Sequence, residues 1–133
     1  MLSGHCECGR IRFEVDGDIE DFSHCHCSQC RRLHGAAFAT FAGVLRDRFH
    51  YVSGESDLKV YASSAHNDRF FCAECGSTIL VDAKPEPEML YISMSTIDGN
   101  PVRPGGYHAY VGSKAPWHEI TDGLEQFDTD PPE

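Results

Sequence analysis

The chain has no run of apolar residues near the roughly 20 that a helix needs to cross a bilayer, so no membrane partner is expected. It also lacks internal repeats, low-complexity tracts and a glycine-rich phosphate loop, which removes solenoids and P-loop nucleotide sites from consideration. Positive charge is scarce: Lys and Arg total 11 against 21 Asp and Glu, for a formal net charge of −10. Such a surface repels phosphate backbones, so no nucleic-acid partner is expected, and cysteines here do not read as a DNA-binding finger. The first residues, Met1 to His5, lack the basic and apolar regions of a signal peptide, and a cytoplasmic location is expected. A length of 133 residues suits one domain, 1–133, with a modest core and a tail that frays from about residue 128.

Cysteine is what the chain has in excess. There are seven, an odd number, and in a reducing compartment metal ligation accounts for them better than a disulfide framework. Residues 23–35 carry Cys25, Cys27 and Cys30 among His24, His26 and His34, with Arg31 and Arg32 directly after Cys30. Three soft, oxidisable groups so close together are a redox liability unless a metal occupies them. Three protein ligands with an open fourth position is the pattern of a reactive zinc site, whereas a histidine in the fourth position, from His24, His26 or His34, makes a closed structural one. A thioredoxin-like dithiol at Cys27 and Cys30 lacks the βαβ pattern it needs. The remaining thiols sort by the residue next to each on its C-terminal side. Cys75 precedes Gly76 and Cys8 precedes Gly9, whereas Cys30 precedes Arg31. Glycine accepts φ > 0 and lets backbone N–H groups turn towards sulfur, so Cys6, Cys8, Cys72 and Cys75 read as a closed four-thiolate staple joining distant strands.

The rest of the chain alternates or runs apolar over short spans. Ile11, Phe13 and Val15 mark a half-buried strand that ends at the turn 16–18. One or two helical turns over 29–34 are capped by Ser28 and stopped by Gly35, and 36–45 reads as a strand whose alanines also allow a helix. Residues 49–52 and 58–62 look like the two arms of a hairpin; 77–81, 89–94 and 107–111 are further strands, the last of them being the final one. Pro116 keeps 113–117 out of a central ladder, so that segment packs across the end of a sheet. Seven or eight short strands and little helix make a mainly β domain.

Four motifs in order carry a resemblance: Gly4, Cys6, Cys8 and Gly9 before a strand; Cys25, His26, Cys27, Cys30 and Arg31; Phe70, Phe71, Cys72, Cys75, Gly76 and Ser77; and His108 with 113–117. From Gly4 to about Phe127 the chain resembles the glutathione-dependent formaldehyde-activating enzyme (GFA) family, also called the CENP-V/GFA domain. The resemblance implies an Mss4-like fold of short antiparallel strands stapled by zinc, with a structural zinc on Cys6, Cys8, Cys72 and Cys75. It further implies a catalytic zinc on Cys25, Cys27 and Cys30, two ions per chain. The implied activity is that of a carbon–sulfur lyase, an S-(hydroxymethyl)glutathione synthase joining formaldehyde to glutathione.

The chemistry has its own logic. Zinc on three thiolates can take a substrate thiol in the fourth position and lower its pKa, holding it beside an aldehyde. Three thiolates and one dication leave −1 on the centre, and Arg10, Arg31, Arg32 and Arg69, all beside cysteine motifs, can offset it. Arg31 and Arg32 are the expected partners for the carboxylates of an anionic thiol, because guanidinium contacts them in pairs. The competing reading is a non-catalytic, zinc-stabilised binding module with a closed second site and an exposed apolar patch.

Overall fold

Ile11, Phe13 and Val15 alternate with charged residues, and in the computed structural model, which describes residues 1–132, these three are buried while Arg10 and Arg12 stay exposed. In chain order the elements are β1 (Leu2–His5), β2 (Arg12–Val15), β3 (Asp21–Cys25), α1 (Ser28–His34), β4 (Ala39–Leu45) and β5 (Phe49–Ser53). They continue as β6 (Leu58–Ala62), β7 (Asn67–Cys72), β8 (Thr78–Ala83), β9 (Met89–Ser93), β10 (Tyr107–Ala109) and β11 (Glu125–Gln126). The fold is therefore mainly β, as expected. No helix among the described residues is long and apolar enough to cross a membrane.

Two sheets form. β1, β2 and β5 make a small antiparallel one, and the other eight strands run in the order β11-β10-β3-β4-β9-β8-β7-β6. Phe13 and Val15 from the small sheet, with Ile11 just before β2, share a core with Val44, Ile79 and Ile92 from the large one, and each is at most 1% exposed. Burying such a side chain stabilises the fold by about 2 kcal/mol. β4 is a strand and not a helix because it is central: Ala42 and Val44 face that core, while Ala39 and Phe41 join Val81 in a second cluster that includes Cys30 and touches Cys25 and Cys27. That second cluster is the apolar floor of the three-thiol region.

Several local expectations change. Residues 49–52 and 58–62 do not form a hairpin: β5 pairs with β2, where Phe49 stacks on Phe13 at 5.3 Å, and β6 pairs with β7 in the other sheet. Gly54, in the left-handed region, and a 3-10 turn at Glu55–Asp57 carry the chain between the sheets. The pairing is not all antiparallel, because β10 lies parallel to both β3 and β11. Nor is β10 the last strand. It stops at Ala109 because Tyr110 turns left-handed, and β11 comes much later in the chain. The helix begins at its expected cap, Ser28, and the cap lies one residue earlier: Cys27 is the N-cap, its sulfur accepting from the Cys30 amide, while Gly35 ends the helix as expected. In 113–117, Ala115 is fully buried but Trp117 is 71% exposed. Towards the C-terminus the Tyr110 amide donates to the Thr129 carbonyl and the Tyr110 phenol to Asp130 Oδ2.

Candidate metal centres

Cys6 and Cys8 lie just after β1, Cys72 ends β7 and Cys75 lies in the turn before β8. Their four sulfurs all lie within 4.8 Å of one another, with Cys6–Cys8 at 3.5 Å and Cys8–Cys72 at 3.8 Å. A tetrahedral zinc with bonds of about 2.3 Å sets its sulfurs about 3.8 Å apart, so this donor set fits the ion. The two halves are built alike. Gly9 and Gly76 both have φ of 78°, and their amides donate to the carbonyls of Cys6 and Cys72. Ser77 joins them, its hydroxyl accepting from the Glu7 amide and contacting Cys75 Sγ at 3.2 Å. That hydroxyl is the main reason the Cys75 thiol falls to about 5.

Cys25 ends β3, Cys27 caps α1 and Cys30 lies in the first turn of the helix; their sulfurs also gather within 4.8 Å. Among the described residues, no His, Asp or Glu atom completes that group. The Cys27 thiol is drawn down to about 2, first by Cys25, then by Cys30 and its amide, while Cys25 is pushed far up because it faces the charge on Cys27. One negative charge is easily accommodated here and three are not. Three thiolates need a cation, which is the chemical signature of a metal site.

A guanidinium already lies against this group. Arg69, on β7, is 6% exposed; its Nη2 donates to Cys30 Sγ at 3.4 Å and to Gln29 Oε1 at 3.2 Å, and its Nε to Ser63 Oγ at 2.9 Å. Of the arginines beside the cysteine motifs, Arg69 alone hydrogen-bonds a sulfur among the described residues. Arg31 and Arg32 share α1 with Cys30, Arg31 half-buried and Arg32 exposed, and neither contacts a sulfur through a hydrogen bond. Cavities of about 450 and 540 Å³ are lined by other residues than these two, so the expected arginine-lined pocket is not among them.

The histidines that could close the group are engaged elsewhere or set apart. His24 Nδ1 bonds Thr40 Oγ1 at 2.8 Å. His26, fully buried, places Nε2 2.7 Å from His108 Nδ1, and His108 Nε2 lies 3.0 Å from both Asp122 oxygens. A carboxylate only accepts, so His108 donates through Nε2 and accepts at Nδ1 from His26 Nε2–H. The order of this hydrogen-bond chain leaves His26 Nδ1 with a bare lone pair and no partner. Burial, and after it the neighbouring imidazoles, holds His26 at about 4, and the His108 hydrogen bond lowers Asp122. His34 Nε2 is buried and unpartnered, outside the group of sulfurs. The motifs marked His108 but gave no signal for Asp122, which is 14 residues away from it.

A family model described as glutathione-dependent formaldehyde-activating enzyme matches residues 1–113. A Halomonas elongata protein described as a putative glutathione-dependent formaldehyde-activating enzyme is 30% identical over 90% of this chain and 81% of its own. An uncharacterized lyase of Schizosaccharomyces pombe is 32% identical over 57% of this chain and 53% of its own. The crystal structure of a Rhodobacter sphaeroides protein matches with a TM-score of 0.62 and 26% identity, covering 74% of this chain and 89% of that one.

Proposed function

The chain belongs to the glutathione-dependent formaldehyde-activating enzyme family, and on that premise we propose that it is a zinc-dependent carbon–sulfur lyase. It forms or cleaves the adduct of a small thiol, glutathione or a close analogue, with formaldehyde. Cys6, Cys8, Cys72 and Cys75 hold the structural ion, Cys25, Cys27 and Cys30 hold the catalytic one, and residues 1–133 act as one domain. The observation that carries this reading is the convergence of three sulfurs with no fourth protein donor among the described residues. A zinc ion bound there supplies an open position for a substrate thiol and lowers its pKa.

The chain's own side chains do the rest. Arg69 offsets the extra negative charge through its hydrogen bond to Cys30. The apolar floor of Ala39, Phe41 and Val81 keeps water from one side of the sulfurs. Arg31 and Arg32, one and two residues after Cys30, take the carboxylates of the thiol. The Asp122–His108–His26 chain fixes the backbone between Cys25 and Cys27, because His26 cannot turn without breaking its buried hydrogen bond to His108, which Asp122 holds in turn.

The test compares native and Cys27→Ser protein in both directions of S-hydroxymethyl exchange, with the uncatalysed rate subtracted. The variant is expected to lose turnover while keeping its circular dichroism and one metal ion per chain. Equal rates for native protein, variant and buffer across several small thiols would leave a zinc-stabilised binding module as the better reading.

A further inference from the structure

A cavity of about 450 Å³ lies between the last turn of α1 and the four-thiolate knuckle, and none of Cys25, Cys27 and Cys30 lines it. That size is in the range of small-molecule sites, about 300–1,000 Å³. Two of its lining residues carry buried polar atoms without a hydrogen-bond partner: Ser93 Oγ, on a residue only 4% exposed, and His34 Nε2. A buried polar atom left unpaired is costly, so two on one cavity mark a place where a ligand can supply hydrogen bonds that the protein does not. The fold explains how they meet. Ser93 stands opposite Phe41 across the β4–β9 pair, so both side chains leave the same face of the sheet. His34, four residues after Cys30, lies on the same side of α1 as that cysteine and sets its ring edge-on to Phe41, 5.4 Å between centroids. Phe41 also packs with Cys30 in the floor of the three-thiol group, so the cavity neighbours that group without including it.

The lining decides what can bind. Leu33 is the one large apolar side chain among the described lining residues, so an apolar ligand would gain little. The carboxylates of the lining are Glu7 and Asp98, the latter 3.3 Å from His5, and no lysine or arginine joins them among the described residues. Burial, and after it the Arg69 charge, keeps the His34 imidazole uncharged at neutral pH, so it offers a donor or an acceptor but no positive charge. A carboxylate or phosphate placed here would meet like charge and no strong cation. Hydroxyl groups suit the lining better, because each can donate to a carboxylate and also pair with the hydroxyls of Ser93 and Thr78. We propose that this cavity is a binding site for a polyhydroxylated small molecule without negative charge, a sugar or cyclitol, held by Ser93, His34 and Asp98. The site is separate from the three-thiol group and does not depend on the lyase reading.

The experiment titrates zinc-loaded native, Ser93→Ala and Asp98→Asn protein with glucose, glucosamine and glucuronate by calorimetry; each of the last two differs from glucose at one carbon. Native protein is expected to bind glucose and glucosamine, and to bind glucuronate at least about 10-fold more weakly. Ser93→Ala should weaken glucose binding about 5-fold, the loss of one neutral hydrogen bond. Its melting temperature should be no lower than native, because the hydroxyl has no protein partner to lose. Asp98→Asn, a change at an exposed side chain that the fold tolerates, should narrow the gap between glucosamine and glucuronate. No saturable binding of any of the three sugars to native protein overturns the inference and leaves water as the occupant. Glucuronate binding as tightly as glucosamine also overturns it, as does sugar binding that neither substitution changes.

Discussion

Replacing Arg69 by methionine tests whether the electrostatic balance of the three-thiol site is set from β7. Methionine keeps much of the buried volume and removes the charge and three donated hydrogen bonds, those to Cys30 Sγ, Gln29 Oε1 and Ser63 Oγ. A hydrogen bond to a charged group contributes about 1.5–3 kcal/mol. Taking about 2 kcal/mol for the bond to the Cys30 thiolate, zinc binding at this site should weaken about 30-fold. The four-thiolate site depends on Ser77 and the two glycine turns instead, and should not change. The assay is chelator competition, with zinc release and circular dichroism recorded together. In the native protein one ion should leave before the other and without unfolding. In Arg69→Met that first release should shift to about 30-fold weaker chelation, with the second unmoved. Arg69→Lys should fall between, because one ammonium keeps the charge but cannot span Cys30, Gln29 and Ser63 at once. If both ions leave native and Arg69→Met protein at the same chelator concentration, Arg69 plays no part in holding the metal.

Burial and backbone geometry give two more expected outcomes. Burial, and after it the Arg69 charge, holds the His34 imidazole at about 4, below its ordinary 6.5; the unfolded chain therefore binds a proton between those values that the folded one does not, so stability is full above about pH 6.5 and falls as pH drops towards 4. Denaturant unfolding at pH 7 and pH 5 should show native protein losing about 1–2 kcal/mol more than His34→Gln, and equal losses would refute the assignment. Gly76→Ala meets no atom within 4 Å but sits at φ 78°, so it should cost about 1–2 kcal/mol, whereas Gly105→Ala, with open space and no positive φ, should fall within about 0.5 kcal/mol of native; similar melting temperatures for the two would show that the knuckle backbone carries no strain.

The sorting of seven cysteines into a group of four and a group of three was legible in the sequence. Each half is local, since Cys6 with Cys8, Cys72 with Cys75, and Cys25, Cys27 and Cys30 lie within a few residues of each other, and the glycine after Cys8 and Cys75 marked the two distant pairs as one group. The same holds for the buried face of β2, where alternation every second residue comes from the pleat. The hairpin reading failed because nothing local in 49–62 records that β5 answers β2 and β6 answers β7. The arginine that touches sulfur is Arg69, 39 residues from Cys30, although Arg31 and Arg32 are adjacent to it in sequence. A short helix carries those two past the sulfurs, while strand pairing brings the distant one in. The link from His26 to His108 spans 82 residues, and the left-handed Tyr110 follows a strand that lies parallel to β3 with the tail bound alongside. Short spacings and the residue after each cysteine therefore determined which sulfurs can gather, and the pairing of distant strands decided which charge and which hydrogen-bond chain lie beside the three-thiol group.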